Sequence, residues 1–227
     1  MFVGMLFTVF CNAQDKQFEV RNVSPFSGIR ASAGVNVYLK QGDDHFVSVE
    51  ADERFIGNII TETKDGILNV YYKEEKKLNM RKRSVSNLNV HVTAVWIESI
   101  STSSGSNLYC QQQLKLDRLT VKSSSGSNAH IDVECRDLTL SVSSGANIKI
   151  KGSAVNLTAS TSSGSNINAR ELETVFAILN ASSGSNIVVK VTGEIEASAS
   201  SGSNITYFGN PIPKAIRQSS GGGVRRK

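Results

Sequence analysis

An all-β, right-handed, single-stranded parallel β-helix (a solenoid of about 19 residues per coil) is the fold that this chain of 227 residues predicts, on three observations. The pentapeptide Ser-Ser-Gly-Ser-Asn occurs six times between Ser103 and Asn204, once as Ser-Ser-Gly-Ala-Asn. Its glycines, Gly105, Gly126, Gly145, Gly164, Gly184 and Gly202, are spaced by 21, 19, 19, 20 and 18 residues. On both sides of each pentapeptide apolar and polar residues alternate, as in strands buried on one face. A unit this small cannot bury its apolar face alone and must stack on copies of itself.

Within one repeat, the third residue after the glycine is Leu108, Ala129, Ile148, Ile167, Ile187 or Ile205, and the fifth is Cys110, Ile131, Ile150, Ala169, Val189 or Tyr207. Seven and five residues upstream come pairs such as Leu138 and Leu140, or Leu157 and Ala159. Each unit therefore reads as one strand on either side of a corner, with a looser third segment closing a coil of roughly 63 Å at ~3.3 Å per residue. The spacing varies and shows no six-residue subperiod, which excludes the tight left-handed hexad helix. Parallel crossovers are right-handed in nearly all cases. At the corner, glycine supplies a positive φ. Like residues of stacked coils lie ~4.8 Å apart, so Asn107, Asn128, Asn147, Asn166, Asn186 and Asn204 are placed to form an amide ladder, and the serines a ladder of hydroxyls. A serine stripe is also open to a second reading, as a flat sugar-binding or ice-like face. Flexible Gly/Ser linkers are the third, but linkers do not recur in register with aliphatic residues.

In chain order, residues 1–13 are apolar, too short to span a bilayer and end in small residues, so they read as the remnant of a secretory signal cleaved after Ala13. Cys11 leaves lipid attachment as an alternative. Residues 15–100 alternate over 17–23, 28–40, 46–51, 67–72 and 88–93, and Asp65-Gly66 is a turn signal. Ser32-Ala33-Gly34-Val35-Asn36 is a degenerate copy of the corner, so this half is expected to supply the first coils and a cap, continuous with the regular coils of 101–223. Ser219-Ser220-Gly221 falls 19 residues after Gly202 in the glycine register and predicts a last partial coil. The basic tail, 224–227, is expected to fray.

The net charge of +5 is concentrated in the run 73–83 and in Arg225-Arg226-Lys227. Mixed signs in the first run favour a solvated loop over an anion site, and no nucleic-acid partner is expected. Cys110 and Cys135 fall about four strand residues apart in stacked coils, ~13 Å, too far for a disulfide, and are expected to be buried thiols. His45, His91 and His130 have no second ligand at metal-site spacing, so no metal or other cofactor is expected. Two carboxylate pairs, Asp132 with Glu134 and Glu171 with Glu173, have the residue types of a glycosidase centre but sit among lysines and read as surface charge.

The opening Phe26-Ser27-Gly28-Ile29-Arg30, the run from Gly34 through Val35, Asn36, Val37 and Tyr38 to Asp43, the segment Asp65-Gly66-Ile67-Leu68-Asn69-Val70 and the serial Ser-Gly-Ser-Asn corners together resemble the autotransporter-adhesin family known as the head GIN domain. The resemblance covers the whole chain after the signal. It implies a right-handed β-helix, export in Bacteroides-like bacteria, a periplasmic or cell-surface location and an adhesive role, with no catalytic residues. No membrane-spanning barrel is expected to follow the solenoid here. The leading expectation is a non-enzymatic exported binding or structural module that meets a surface glycan or protein on its outer faces. The alternatives are a glycan-processing enzyme, such as a polysaccharide lyase or glycosidase, on the same scaffold, and a periplasmic homo-oligomer formed through sheet faces.

Overall fold

A computed structural model describes residues 16–74 and 87–227; the signal reading of 1–13, Cys11 and most of the basic run lie outside the described residues. The chain folds as a β-solenoid of about 7 turns and about 19 residues per coil, with 68% of the described residues in strands.

The first half contributes β1 (Lys16–Arg21), β2 (Gly28–Ser32), β3 (Asn36–Gln41), β4 (Phe46–Asp52), the single-turn helix α1 (Glu53–Ile56), β5 (Ile59–Lys64), β6 (Ile67–Tyr72) and β7 (Asn89–Ala94). Alternation over 28–40 is interrupted by a corner, where Ala33 and Gly34 adopt φ of 57° and 76°. Asp65 (φ 52°) and Gly66 (φ 71°) make the tight turn that joins β5 and β6 antiparallel. Neither α1 nor β5 was signalled by periodicity. The helix is fixed by Asp52, whose side chain accepts from the Arg54 amide at 3.0 Å.

Layer order departs from chain order here. Strand β2 lies between β6 and a later strand, β8 (Ser99–Thr102), and β3 lies between β7 and β9 (Asn107–Cys110). The coil that comes first in the chain is thus second in the stack. Strands β6 and β7 build the layer outside it, and β4 pairs antiparallel with β7, β1 with β4, and β5 with β6. The parallel solenoid therefore ends in antiparallel strands. Ile56 and Ile59 are buried there and close the core.

The regular coils comprise β10 (Leu114–Ser123), β11 (Asn128–Val142), β12 (Asn147–Thr161), β13 (Asn166–Ala181), β14 (Asn186–Ala199), β15 (Asn204–Phe208), β16 (Ile212–Gln218) and β17 (Gly223–Arg226). The closing segment is not loose. β11 pairs with β12 from Asn128↔Asn147 to Val142↔Thr161, round the whole coil. Extra residues are absorbed on this third side as register shifts, between Lys149 and Lys151 and between Ala169 and Glu173, which is how one stack accommodates repeats of unequal length. Inward columns stack aliphatic side chains layer on layer, Leu138 on Leu157 and Leu140 on Ala159, all buried. Each fully buried Val, Leu or Ile contributes about 1.5–3 kcal/mol of transfer free energy. The tail is not frayed: β17 pairs with β15 from Asn204↔Gly223 to Tyr207↔Arg226.

Candidate functional site

The corners set the geometry of every outer face. At each one, a serine and the following glycine both have positive φ, as at Ser104 (50°) and Gly105 (72°), and the serine after them donates its amide back, Ser106 N to Ser103 O at 3.1 Å. This is the tight turn with two left-handed central residues. From the sequence the positive φ falls to glycine, with asparagine the next most tolerant; the second left-handed residue is instead the serine before the glycine. A Cβ on Gly105 or Gly145 would meet nothing within 4 Å, so these glycines serve backbone conformation and not close approach.

The serine after the glycine is buried at Ser106, Ser127, Ser165, Ser185 and Ser203. These serines bond the backbone, and Ser127 and Ser185 also meet the hydroxyls of Thr102 and Thr161 at 3.0 and 2.8 Å. Ser165 Oγ lies 2.9 Å from Val142 O of the preceding coil and 2.7 Å from Ser162 O, and it accepts from Ser162 N at 3.2 Å. Ala146, in the variant corner, has no hydroxyl to offer and is also buried.

The asparagines are brought together. Each Nδ2 donates to the Oδ1 of the neighbouring layer: Asn204 to Asn186 at 3.4 Å, Asn186 to Asn166 at 2.9 Å, Asn166 to Asn147 at 2.9 Å, Asn147 to Asn128 at 3.1 Å and Asn128 to Asn107 at 2.9 Å. The row continues through Asn107 to Asn36 at 2.9 Å and Asn36 to Asn89 at 3.1 Å. The last two partners were not legible as neighbours, because the layers are out of chain order.

Beside the corners runs a groove of about 590 Å³. One wall is the outward row Lys122, Ser141, Ser160, Asn180 and Ser198; the other is the row of first corner serines Ser124, Ser143, Ser162, Ser182 and Ser200. Its polar lining is hydroxyls and one amide, with a single cation and no carboxylate.

A second hollow, of about 510 Å³, lies on the third side and contains Glu134, Cys135 and Glu173. Three of the four carboxylates in the sequence pairs are met by lysines of adjacent coils: Lys151 Nζ lies 3.1 Å from Asp132 Oδ2, Lys149 Nζ lies 3.5 Å from Glu171 Oε1, and Lys190 bonds Glu173. The hydrogen bond from Lys190, reinforced by its charge, lowers the pKa of Glu173 below the usual carboxylate range, the opposite of what a general acid needs. Cys110 and Cys135 are free thiols. Burial pushes them up to about 12 and about 11, so neither is an activated nucleophile. Cys110 is half-buried where its column predicted burial, because β9 ends there and the chain leaves the coil through Gln111, Gln112 and Gln113.

The histidines, isolated in sequence, join ring clusters. His91, Tyr38, Tyr109 and His130 stack along the outside of the sheet with centroids 5.2, 5.5 and 5.2 Å apart, and His91 Nε2 lies 3.2 Å from Glu50 Oε2. His45 packs between Phe26 and Trp96 at 4.4 and 5.3 Å. Each stacked ring follows its ladder asparagine by two residues, a signal available in the sequence once Asn36 and Asn89 are known to be rungs. Among the described residues no group of three His, Cys, Asp or Glu side chains could hold a metal ion, and no helix is long and apolar enough to cross a membrane.

Residues 25–211 match the family described as "Putative auto-transporter adhesin, head GIN domain". The chain belongs to that family. Solved structures share the fold over almost their full length. A "putative adhesin" from Bacteroides fragilis is 19% identical, covers 95% of this chain and 98% of its own, and has a TM-score of 0.87. A "putative adhesin" from Parabacteroides merdae is 17% identical over 95% and 97%, with a TM-score of 0.76. A "putative lipid binding protein" from Parabacteroides distasonis is 17% identical over 95% and 98%, with a TM-score of 0.70. No curated protein matches the sequence.

Proposed function

We propose that this head GIN domain protein is a non-enzymatic exported binding module, an adhesin whose solenoid holds a surface glycan against the groove beside the corners. The observation that carries this reading is the groove itself. Its hydroxyl rows repeat at the coil spacing of ~4.8 Å and are held at a fixed pitch by the asparagine ladder next to them. Hydroxyls offer both donors and acceptors in a nearly neutral setting, which suits an uncharged, hydroxyl-rich polymer better than an anionic one. Family membership supports an adhesive role, and the lysine-paired carboxylates of the third side argue against hydrolysis there.

The test is retention of purified protein on arrays of neutral surface glycans, comparing the wild type with Ser141→Trp/Ser160→Trp, which fills the groove from two half-buried positions of its wall. Retention by the wild type and its loss in the variant with an unchanged melting temperature is the expected result. Equal retention by both, or release of shortened glycan by the wild type, overturns it.

A further inference from the structure

The flat sheet face that leads into the groove carries a break in the repeat. In the outward column one residue before the inward Leu119, Leu138, Leu157, Ala177 and Ile195, successive coils present Arg118, Asp137, Asn156, Phe176 and Glu194, which stand opposite one another in the parallel register. In the next outward column come Thr120, Thr139, Thr158, Ile178 and Glu196. Phe176 and Ile178 are 43% and 48% exposed, and Val155 and Val175 at the adjoining bend are 43% and 37% exposed. Three coils keep threonine where the fourth has isoleucine, so neither the core nor the stacking of the coils calls for these apolar side chains. Clustered exposed apolar groups on an otherwise polar face mark an interaction surface.

The rows around β13 indicate its occupant. We infer that this face binds a second copy of the chain, face to face, about a two-fold axis lying along β13. Rotation about that axis sets Phe176 and Ile178 against their own counterparts, making an apolar centre. It lays Glu194 and Glu196 of β14 over Asn156 and Thr158 of the partner's β12, neutral polar groups; within each copy Glu194 pairs with Lys214 and Asn156 donates to Asp137. It lays Asp137 and Thr139 of β11 over the partner's Ile212 and Ala215 of β16, beside Lys214, which pairs with Glu194 of its own chain at 3.1 Å. No carboxylate faces a carboxylate. The other in-plane axis, along the solenoid, would set Glu194 against the partner's Glu196 and is disfavoured by like charge. An isologous patch of this kind, with an apolar centre and a polar rim, is the usual form of a two-fold homodimer.

The face is about five strands wide and six residues long, so at ~4.8 Å and ~3.3 Å it buries on the order of 1,000 Å² in total, the lower limit of a specific interface. A weak, concentration-dependent dimer follows. Because the columns keep their order across the axis, the serine grooves of the two copies lie side by side at the margin of the interface, so pairing would present two grooves to one surface. The inference is independent of what the grooves hold.

Sedimentation equilibrium of the full chain tests it. Apparent mass is expected to rise toward twice the monomer value over roughly 1 to 100 µM, and Phe176→Asp/Ile178→Lys is expected to remain monomeric with unchanged circular dichroism, as both sites are exposed. In an oxidation experiment, Ile178→Cys is expected to cross-link to its own counterpart, while Thr139→Cys, two coils off the axis on the same face, is not. A wild type that stays monomeric throughout, an association indifferent to the double substitution, or equal cross-linking at both positions overturns the inference. If the monomeric variant still binds glycan, only the dimer's part in adhesion is removed, and the groove reading stands on its own test.

Discussion

The regular coils and the capped end use the same strands and the same kind of core, yet they encode their pairing differently. From Asn107 to Asn204 each ladder asparagine bonds one that lies 18 to 21 residues away, and the sequence period states the register outright. At the capped end the same bond joins Asn36 to Asn89, 53 residues on, and Asn107 to Asn36, 71 residues back. Identical local chemistry thus serves a one-dimensional stack at one end and a threaded, out-of-order stack at the other. Repetition specifies neighbours only where the chain advances one layer per repeat. Where an excursion such as 46–94 intervenes, alternation still marks the strands but not their partners. Closing the excursion before its contacts form costs loop entropy, so the cap is expected to order after the coils.

The comparison can be broken most severely on the third side of the coils. Gly152 has a φ of 109° and a Cβ there would lie 2.0 Å from Val133 O, so Gly152→Ala is expected to destabilise by more than about 4 kcal/mol in chemical denaturation, or to prevent folding. Gly145, with φ 69° and open space around it, serves as the control, and Gly145→Ala is expected to cost about 1–2 kcal/mol. Equal costs would show that approach to the neighbouring coil is not what Gly152 provides.

Core truncation sharpens the contrast between the two regions. Leu140→Ala in the coils and Ile59→Ala in the cap each empty a fully buried site, and each is expected to cost about 3 kcal/mol. Hydrogen exchange should separate them: Ile59→Ala speeds exchange in β4, β5 and β6 while β12 and β13 stay protected, whereas Leu140→Ala loosens coils on both sides of its own. Uniform acceleration by Ile59→Ala would mean that the cap and coils open as one unit.

Smaller effects test the rungs and the thiols. Asn147→Ala interrupts the ladder at one layer and is expected to cost about 1 kcal/mol, read as a shift in denaturation midpoint. Cys110 and Cys135 have thiol pKa values raised above an ordinary 9.0 by burial. Their contribution to stability is therefore complete below about pH 9, where both folded and unfolded thiols are neutral, and is lost as pH rises toward about 11 to 12, because the unfolded chain ionises first. Cys110→Ala/Cys135→Ala should flatten that part of the pH–stability curve; an unchanged slope would assign it to other groups.

Most of the coil architecture was legible in the sequence because position within the repeat fixes both side-chain direction and partner. Leu138, Ile148 and Leu157 read as inward, and His130 and Lys149 as outward, from alternation alone. The positive φ of Ser104 and its equivalents was missed because serine has no intrinsic preference for that region; the turn imposes it, and only stacking reveals it. Helix α1 is a single turn set by one cap, too short for periodicity to register. The tail read as frayed because its basic composition was legible, whereas its pairing with β15 is not a local property. The groove was only half visible: the corner serines stood out, but Lys122, Ser141 and Asn180 form its other wall only after the strands before the corner are aligned.

The most direct test of the account is hydrogen exchange mapped on the protein with and without a glycan that it retains. Added protection is expected in peptides covering Ser141–Ser144, Ser160–Ser163 and Asn180–Ser183, where the groove crosses β11, β12 and β13. Protection confined to the His91, Tyr38, Tyr109 and His130 row, with none along the serines, would contradict it.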